Sequence, residues 1–154
     1  MLEDRLTRGF IAGLAGGTAM NILNLIYVHF NNHCEDCRYF DWSAVLLYGN
    51  KATSMAEIII ALIAQVVFTG FLSILFAFLV TLINSKHLWF KGWLYGILCW
   101  FFIYAVFIIF KIPEFGHRSV PTVISFFVTS SAYGIIQAEV IRRLDQKASM
   151  SNKP

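Results

Sequence analysis

Four long stretches of this chain, residues 9–34, 58–85, 92–110 and 119–138, contain no Asp, Glu, Lys or Arg, and each is 19 to 28 residues long. An α-helix rises about 1.5 Å per residue, so roughly 20 apolar residues cross the hydrocarbon of a bilayer. Each stretch is therefore long enough to span. The 12 basic and 9 acidic residues are confined to the connections and to the two ends. This pattern predicts an all-α polytopic membrane protein, a bundle of four spanning helices with a short interfacial helix in the first loop.

Composition points the same way. Hydrophobic residues make up 58% of the 154-residue chain and charged residues 14%, against about 45–50% and about 25% in soluble domains. A water-soluble alternative would need four buried helices with almost nothing to cover them. The 15 phenylalanines suit a lipid-facing surface. The predicted organisation is a single membrane domain over residues 1–154, with spans at about 9–30, 57–83, 90–111 and 119–140. An outer loop at about 31–56 and a cytoplasmic tail at about 142–154 complete it. The first span resembles a secretory signal in having Arg5 and Arg8 before an apolar run. Its length, its Asn21 and Asn24, and the lack of a small-x-small site before a polar start argue against cleavage. The net charge of +3 is spread over several loops, which suits anionic lipid headgroups and gives no footing for nucleic acid.

Eight basic residues lie at the two ends and in the second loop, and four lie in the first and third loops. The richer side is expected to be cytoplasmic, which puts both termini there in a plasma (inner) membrane, multi-pass arrangement. Tyr39, Phe40, Trp42, Trp89, Phe90 and Trp93 sit near span ends, where interfacial aromatic anchors are expected. Asp41, then 42–48, then Gly49-Asn50 read as a short capped helix lying along the outer interface or over the bundle. None of the three prolines falls in the middle of a span, so the helices should be continuous. The run 8–14, Arg-Gly-Phe-Ile-Ala-Gly-Leu, is echoed at 91–97 by Lys-Gly-Trp-Leu-Tyr-Gly-Ile. Two origins fit the echo: a duplicated helical hairpin, or recurrence of a basic-aromatic entry followed by a packing glycine.

The residues that could act are few. Gly9, Gly13 and Gly17 recur every fourth position and so share one face of the first helix. Asn21 continues that row and Asn24 follows it. The second span has a matching row of Glu57, Ala61, Gln65, Thr69, Ser73 and Ala77. Small residues permit close backbone approach in lipid, and amides or hydroxyls at that depth need partners. The simplest assembly sets the two rows against each other. The same residues, Gly9, Gly13, Gly17, Asn21, Asn24, Glu57, Gln65, Thr69 and Ser73, are equally the candidates for a water-lined path. Glu57 stands at the loop end of its span, where a cap or interfacial role is expected ahead of ion relay. Glu139, three and four residues before Arg142 and Arg143, reads as a paired anchoring terminus.

A third constellation lies in the loops. His29, His33, Cys34, Glu35, Asp36, Cys37 and Asp41 cluster in or beside the first loop, and Glu114 and His117 lie in the third. His33, Cys34, Cys37 and His117 are residue types that could hold zinc or copper. A lone C-x-x-C lacks a second ligand pair, however, and the histidine precedes it, unlike a c-type haem site. A disulfide or two idle thiols is the simpler expectation, so no metal or cofactor is assigned. Cys99, inside the third span, is read as packing. The chain has no nucleophile elbow, phosphate-binding glycine loop or helical H-E-x-x-H.

The run Lys86-His87-Leu88-Trp89-Phe90-Lys91-Gly92 opening the third span, and Gln137-Ala138-Glu139-Val140-Ile141-Arg142-Arg143 closing the fourth, resemble the YagU-like bacterial inner-membrane proteins. The layout is similar too: a first span rich in small residues, an extended outer loop, then three spans with short connections. The likeness covers about the last two thirds of the chain. It implies a small four-span bacterial inner-membrane protein and transfers no catalytic or ligand-binding residue. Cys34 and Cys37 are not part of the shared pattern.

Three readings of function follow. The preferred one is a non-enzymatic membrane protein acting by helix–helix association, in a homo-oligomer or beside a membrane partner. The second is a minimal transporter or channel using the polar face between the first two spans. The third is an outer-face metal-binding or redox module.

Overall fold

The computed structural model describes residues 4–30, 38–83, 86–111 and 119–151. Five α-helices occur among them: α1 (Arg5–Phe30), α2 (Phe40–Tyr48), α3 (Met55–Ile83), α4 (Leu88–Ile109) and α5 (Val120–Ser151). Four of these, all but α2, are long and apolar enough to cross a membrane. The protein is thus a multi-pass four-helix bundle with one short extra helix. Arg8 near the start of α1 pairs with Asp145 near the end of α5, so the start of α1 and the end of α5 lie at one end of the bundle. That end is called the terminal end below, and the opposite one, which carries α2, the loop end.

Each helix boundary has a local cause. Ser54 Oγ accepts from the Glu57 N–H at 3.2 Å, while the Glu57 carboxylate accepts from the Thr53 and Ser54 N–H groups at 2.8 and 3.2 Å. This reciprocal capping box satisfies donors that the first turn of α3 would leave bare. Pro121 occupies the second residue of α5, where a missing N–H costs nothing. Gly49 closes α2 with φ 76° and its N–H bonded to the Val45 carbonyl, the left-handed geometry glycine adopts without a Cβ clash. Lys86 and His87 turn the chain into α4, with His87 at φ 57°.

Several boundaries differ from the sequence expectation. α2 begins at Phe40, and Asp41 lies inside its first turn, bonded to Arg38 at 3.2 Å instead of capping the helix. The segment expected as a tail from 142 continues α5 as helix to Ser151. Tyr39, Phe40 and Trp42, expected as interfacial anchors, are 8%, 4% and 5% exposed. The bundle leaves a recess at the loop end, and burying these rings there removes more surface from water than an interfacial position would. Trp89 and Phe90 do remain exposed at the terminal end.

α1 is the central helix. It packs extensively on α3 along one face and on α5 along another, and α4 packs on α5, whereas α3 and α4 scarcely meet. The α1–α3 seam is a backbone contact: a Cβ at Gly13 would stand 2.6 Å from Gly70 Cα, and one at Gly9 would stand 2.9 Å from Ile74 Cα. The α4–α5 seam repeats the device. Gly92 faces Gly134 and Ala138, and Gly96 faces Ser130 and Gly134. The two glycine pairs echoed in the sequence therefore perform the same task in successive hairpins, each laying the first helix onto small residues of the second.

α2 fills the loop end. The Trp42 ring sits 4.9 Å from Phe107, 5.5 Å from Phe126 and 5.6 Å from Tyr104, and Tyr39 lies 4.8 Å from Phe126. Helices α4 and α5 thus meet the first loop through a shared aromatic cluster, while Phe40 and Ala44 pack with Ala52 and Ala61 towards α3.

Two substitutions test this packing by thermal unfolding in detergent. Gly13→Ile forces side-chain atoms into the α3 backbone and should abolish a cooperative transition. Trp42→Ala should lower stability by about 3–5 kcal/mol, the usual cost of emptying a buried aromatic site; an unchanged midpoint would show that α2 is not part of the core.

Candidate functional site

The polar side chains of the spans converge on the interior, and the structure divides the predicted row into two groups. One group bolts helices together. Asn24 Nδ2 donates to Ser125 Oγ on α5 at 3.1 Å, and Asn24 Oδ1 accepts from the Tyr39 N–H at 2.7 Å. Thr69 Oγ1 donates to the Gly13 carbonyl at 3.1 Å, and the Thr69 carbonyl accepts from the Tyr133 hydroxyl at 2.9 Å. Thr69 thus ties α3 to both α1 and α5. Gly17 faces the Thr69 side chain and Gly9 faces Ala77.

The second group is buried without partners. Gln65 is 4% exposed, and neither its amide nitrogen nor its amide oxygen meets a hydrogen-bonding group among the described residues. The same holds for Ser73 Oγ and for Asn21 Nδ2. Leaving a buried polar group unpaired costs on the order of 1–3 kcal/mol, so such atoms call for an explanation. Glu57, the row's only carboxylate, belongs to neither group: it is the acceptor of the capping box described above.

Gln65 is among the residues around a small, mostly apolar pocket of about 40 Å³ between α3 and α4, to which Met20, Tyr39, Ser130 and Tyr133 also contribute. Trp100, whose indole N–H also has no partner, and Cys99 line it from α4. Cys99, expected as packing, is half-buried with a free thiol. The Tyr39 hydroxyl lies 3.2 Å from Ser130 Oγ, and burial pushes its pKa up to about 12, so it stays protonated at neutral pH.

Aromatic side chains flank the row on both sides. At the loop end the Tyr39–Trp42–Phe107–Phe126 cluster stands over the cavity. Towards the terminal end Phe76 and Tyr95 meet at 5.1 Å, and the Tyr95 hydroxyl donates to the Leu72 carbonyl at 2.6 Å.

At the terminal end Glu139 gathers three donors: Arg142 at 2.8 and 2.9 Å, Arg143 at 2.6 Å and Trp89 Nε1 at 2.9 Å. The Arg142 guanidinium also lies over the Trp89 ring, 5.3 Å from its centroid. The expected ion pairs of this terminus are present, and Trp89 adds a tie to α4 that helix spacing alone did not suggest.

His33, Cys34, Cys37 and His117 lie outside the described residues, as do Glu35, Asp36 and Glu114. Among the described residues no group of three or more His, Cys, Asp or Glu side chains could hold a metal ion. Among the buried polar groups that escaped the sequence reading are the hydroxyls of Thr122, Ser125, Thr129 and Ser130 on α5, the unpartnered indole of Trp100, hidden among apolar neighbours in α4, and Gln137, fully buried in α5 with both amide atoms unpartnered. An amide in an otherwise apolar span is the signal that could have found Gln137, as it found Gln65. No family model, curated protein or solved structure matches this chain.

The two groups should respond oppositely to mutation. Asn24→Ala leaves the Tyr39 N–H and Ser125 without their partner and should destabilise by about 1–3 kcal/mol. Gln65→Leu replaces unpaired polar atoms with an apolar group of similar volume and should leave the melting temperature unchanged or raise it. Differential scanning fluorimetry of the two variants in detergent decides this; a large loss in Gln65→Leu would mean the amide is bonded after all.

Proposed function

We propose that this is a non-enzymatic protein of the bacterial inner membrane, both termini cytoplasmic, acting by lateral association of its helices with itself or with a membrane partner. The carrying observation is the uneven cover of the spans. Only 17% of the apolar window of α4 is buried inside the bundle, against 28% for α3, 39% for α1 and 50% for α5. The small-residue faces of α1, α3, α4 and α5 are already spent on one another. α4 instead turns Leu94, Leu98, Phe101 and Phe102 outward, large side chains that offer a partner helix more dispersion contact than smaller residues would. The resemblance to YagU-like proteins and the bias of basic residues towards the terminal end support the membrane and orientation assigned.

The transporter reading draws less support, because aromatic layers stand at both ends of the polar row. For the metal reading the geometry supplies nothing, since its ligands lie outside the described residues.

Disulfide trapping in native membranes tests the association. In a chain whose own cysteines are replaced by serine, Leu98→Cys and Phe101→Cys should give one discrete cross-linked product in high yield. Leu75→Cys on α3 and Ile22→Cys on α1, equally exposed, should give little. Equal yields at all four positions, or none at any, would overturn the reading.

A further inference from the structure

We propose that the cleft between α1, α3 and α5 at the terminal end binds the phosphodiester of an anionic phospholipid, with Arg5 and Arg8 supplying the donors. This site is separate from the α4 face proposed above and stands whether or not the protein associates.

Three observations carry it. The first is charge. The cleft has a volume of about 360 Å³, within the range of about 300–1,000 Å³ usual for small-molecule sites. Its polar lining is Arg5 and Arg8 from α1, Thr81 from α3 and Asp145 from α5. Arg8 pairs with Asp145, and its side chain is only 13% exposed, so it is held in the wall. Arg5, one turn earlier on the same helix, has no carboxylate partner among the described residues. The neighbouring Asp4 does not line the cleft and instead caps α1, accepting from the Leu6 N–H at 3.2 Å. Thr81 donates its hydroxyl to the Phe78 carbonyl at 2.6 Å. Guanidinium N–H groups are therefore the donors of this lining, and two arginines against one aspartate leave it one positive charge in surplus. A phosphodiester carries one negative charge and accepts hydrogen bonds from arginine, which answers both features.

The second is depth. Gly17 faces the Thr69 side chain, and residue 69 is the middle of α3 (Met55–Ile83). From that level the rise of α1 carries Arg8 to about 14 Å and Arg5 to about 18 Å. Half the hydrocarbon of a bilayer is about 15 Å thick, and headgroups extend to about 20–22 Å from the midplane. The two guanidinium groups therefore stand at the level of lipid phosphates.

The third is the rest of the lining, which is Ala77, Val80 and Ile141. Ala77 packs against Gly9, on the midplane side of Arg8. A soluble phosphate would leave these apolar side chains uncovered, whereas the glycerol and first methylenes of a lipid lie against them. A zwitterionic lipid would bring its ammonium group to a lining whose one carboxylate already holds Arg8, and the surplus charge of Arg5 would go unanswered.

The test uses the full chain in phosphatidylcholine nanodiscs containing a photoreactive phosphatidylglycerol with a diazirine near its ester group. Labelling should map to peptides containing residues 77–82 or 141–145. Unlabelled phosphatidylglycerol should compete at least about fivefold better than phosphatidylethanolamine, the factor expected of one basic residue near an anionic headgroup. Soluble glycerol phosphate should not compete. Arg5→Gln should remove the preference at an unchanged melting temperature. Lys147→Gln, which deletes an exposed charge at the same end but outside the cleft, should retain it. Equal competition by the two lipids, labelling at other peptides, or a preference unchanged in Arg5→Gln would overturn the proposal. Equal losses in Arg5→Gln and Lys147→Gln would do the same and reduce the effect to general surface charge. Displacement by glycerol phosphate would overturn the lipid and make a soluble phosphate the ligand.

Discussion

In hydrocarbon, an apolar side chain gains little by leaving lipid for a helix interface, because its surroundings hardly change. Helices in such a medium hold together where backbones come close enough for many dispersion contacts at once. The bundle is arranged around that constraint. Gly9 and Gly13 bring α1 onto α3, Gly16 brings the same helix against Tyr133 of α5, and Gly92, Gly96 and Gly134 join α4 to α5. Where no such residues face each other, as between α3 and α4, the long helices meet little. The small pocket lies between these two helices, which no glycine seam joins.

Hydrogen bonds then fix the register that the glycines permit. A smooth seam would let helices slide by a turn. Asn24, Thr69 and Tyr133 each bond across a helix boundary and so define a single alignment. Glu139 does similar work at the terminal end by holding Trp89 against Arg142 and Arg143. Polar residues in the spans therefore fall into positions that set register and positions, such as Gln65 and Gln137, that contribute nothing to it in the structure described. The latter are destabilising for the fold.

Much of the architecture could be read from residues directly, and the reasons are specific. Charge-free length marks four spans, because charges are so costly in lipid that their absence is a strong signal. The four-residue recurrence of Gly9, Gly13 and Gly17, and of Gln65, Thr69 and Ser73, located two faces that do meet, since helical geometry fixes which residues share a side. Tyr39 and Trp42 were misread as interfacial because an aromatic near a span end looks the same whether it faces lipid headgroups or a recess in the protein. The cavity was not legible. It depends on how little α3 and α4 meet, which no local pattern encodes. Trp100 was hidden for a related reason: among Leu98, Phe101 and Phe102 nothing distinguishes the one indole that turns inward.

The aromatic cluster of the first loop carries a consequence for biogenesis. Trp42 is made long before Tyr104, Phe107 and Phe126, the rings it packs against. During synthesis the loop leaves the insertion machinery when its binding recess does not yet exist. It must wait at the membrane surface until the last two helices are inserted. Docking of the loop is accordingly the step that reports completion of the polypeptide, and a chain arrested after the third long helix would expose Tyr39 and Trp42 to quality-control proteases.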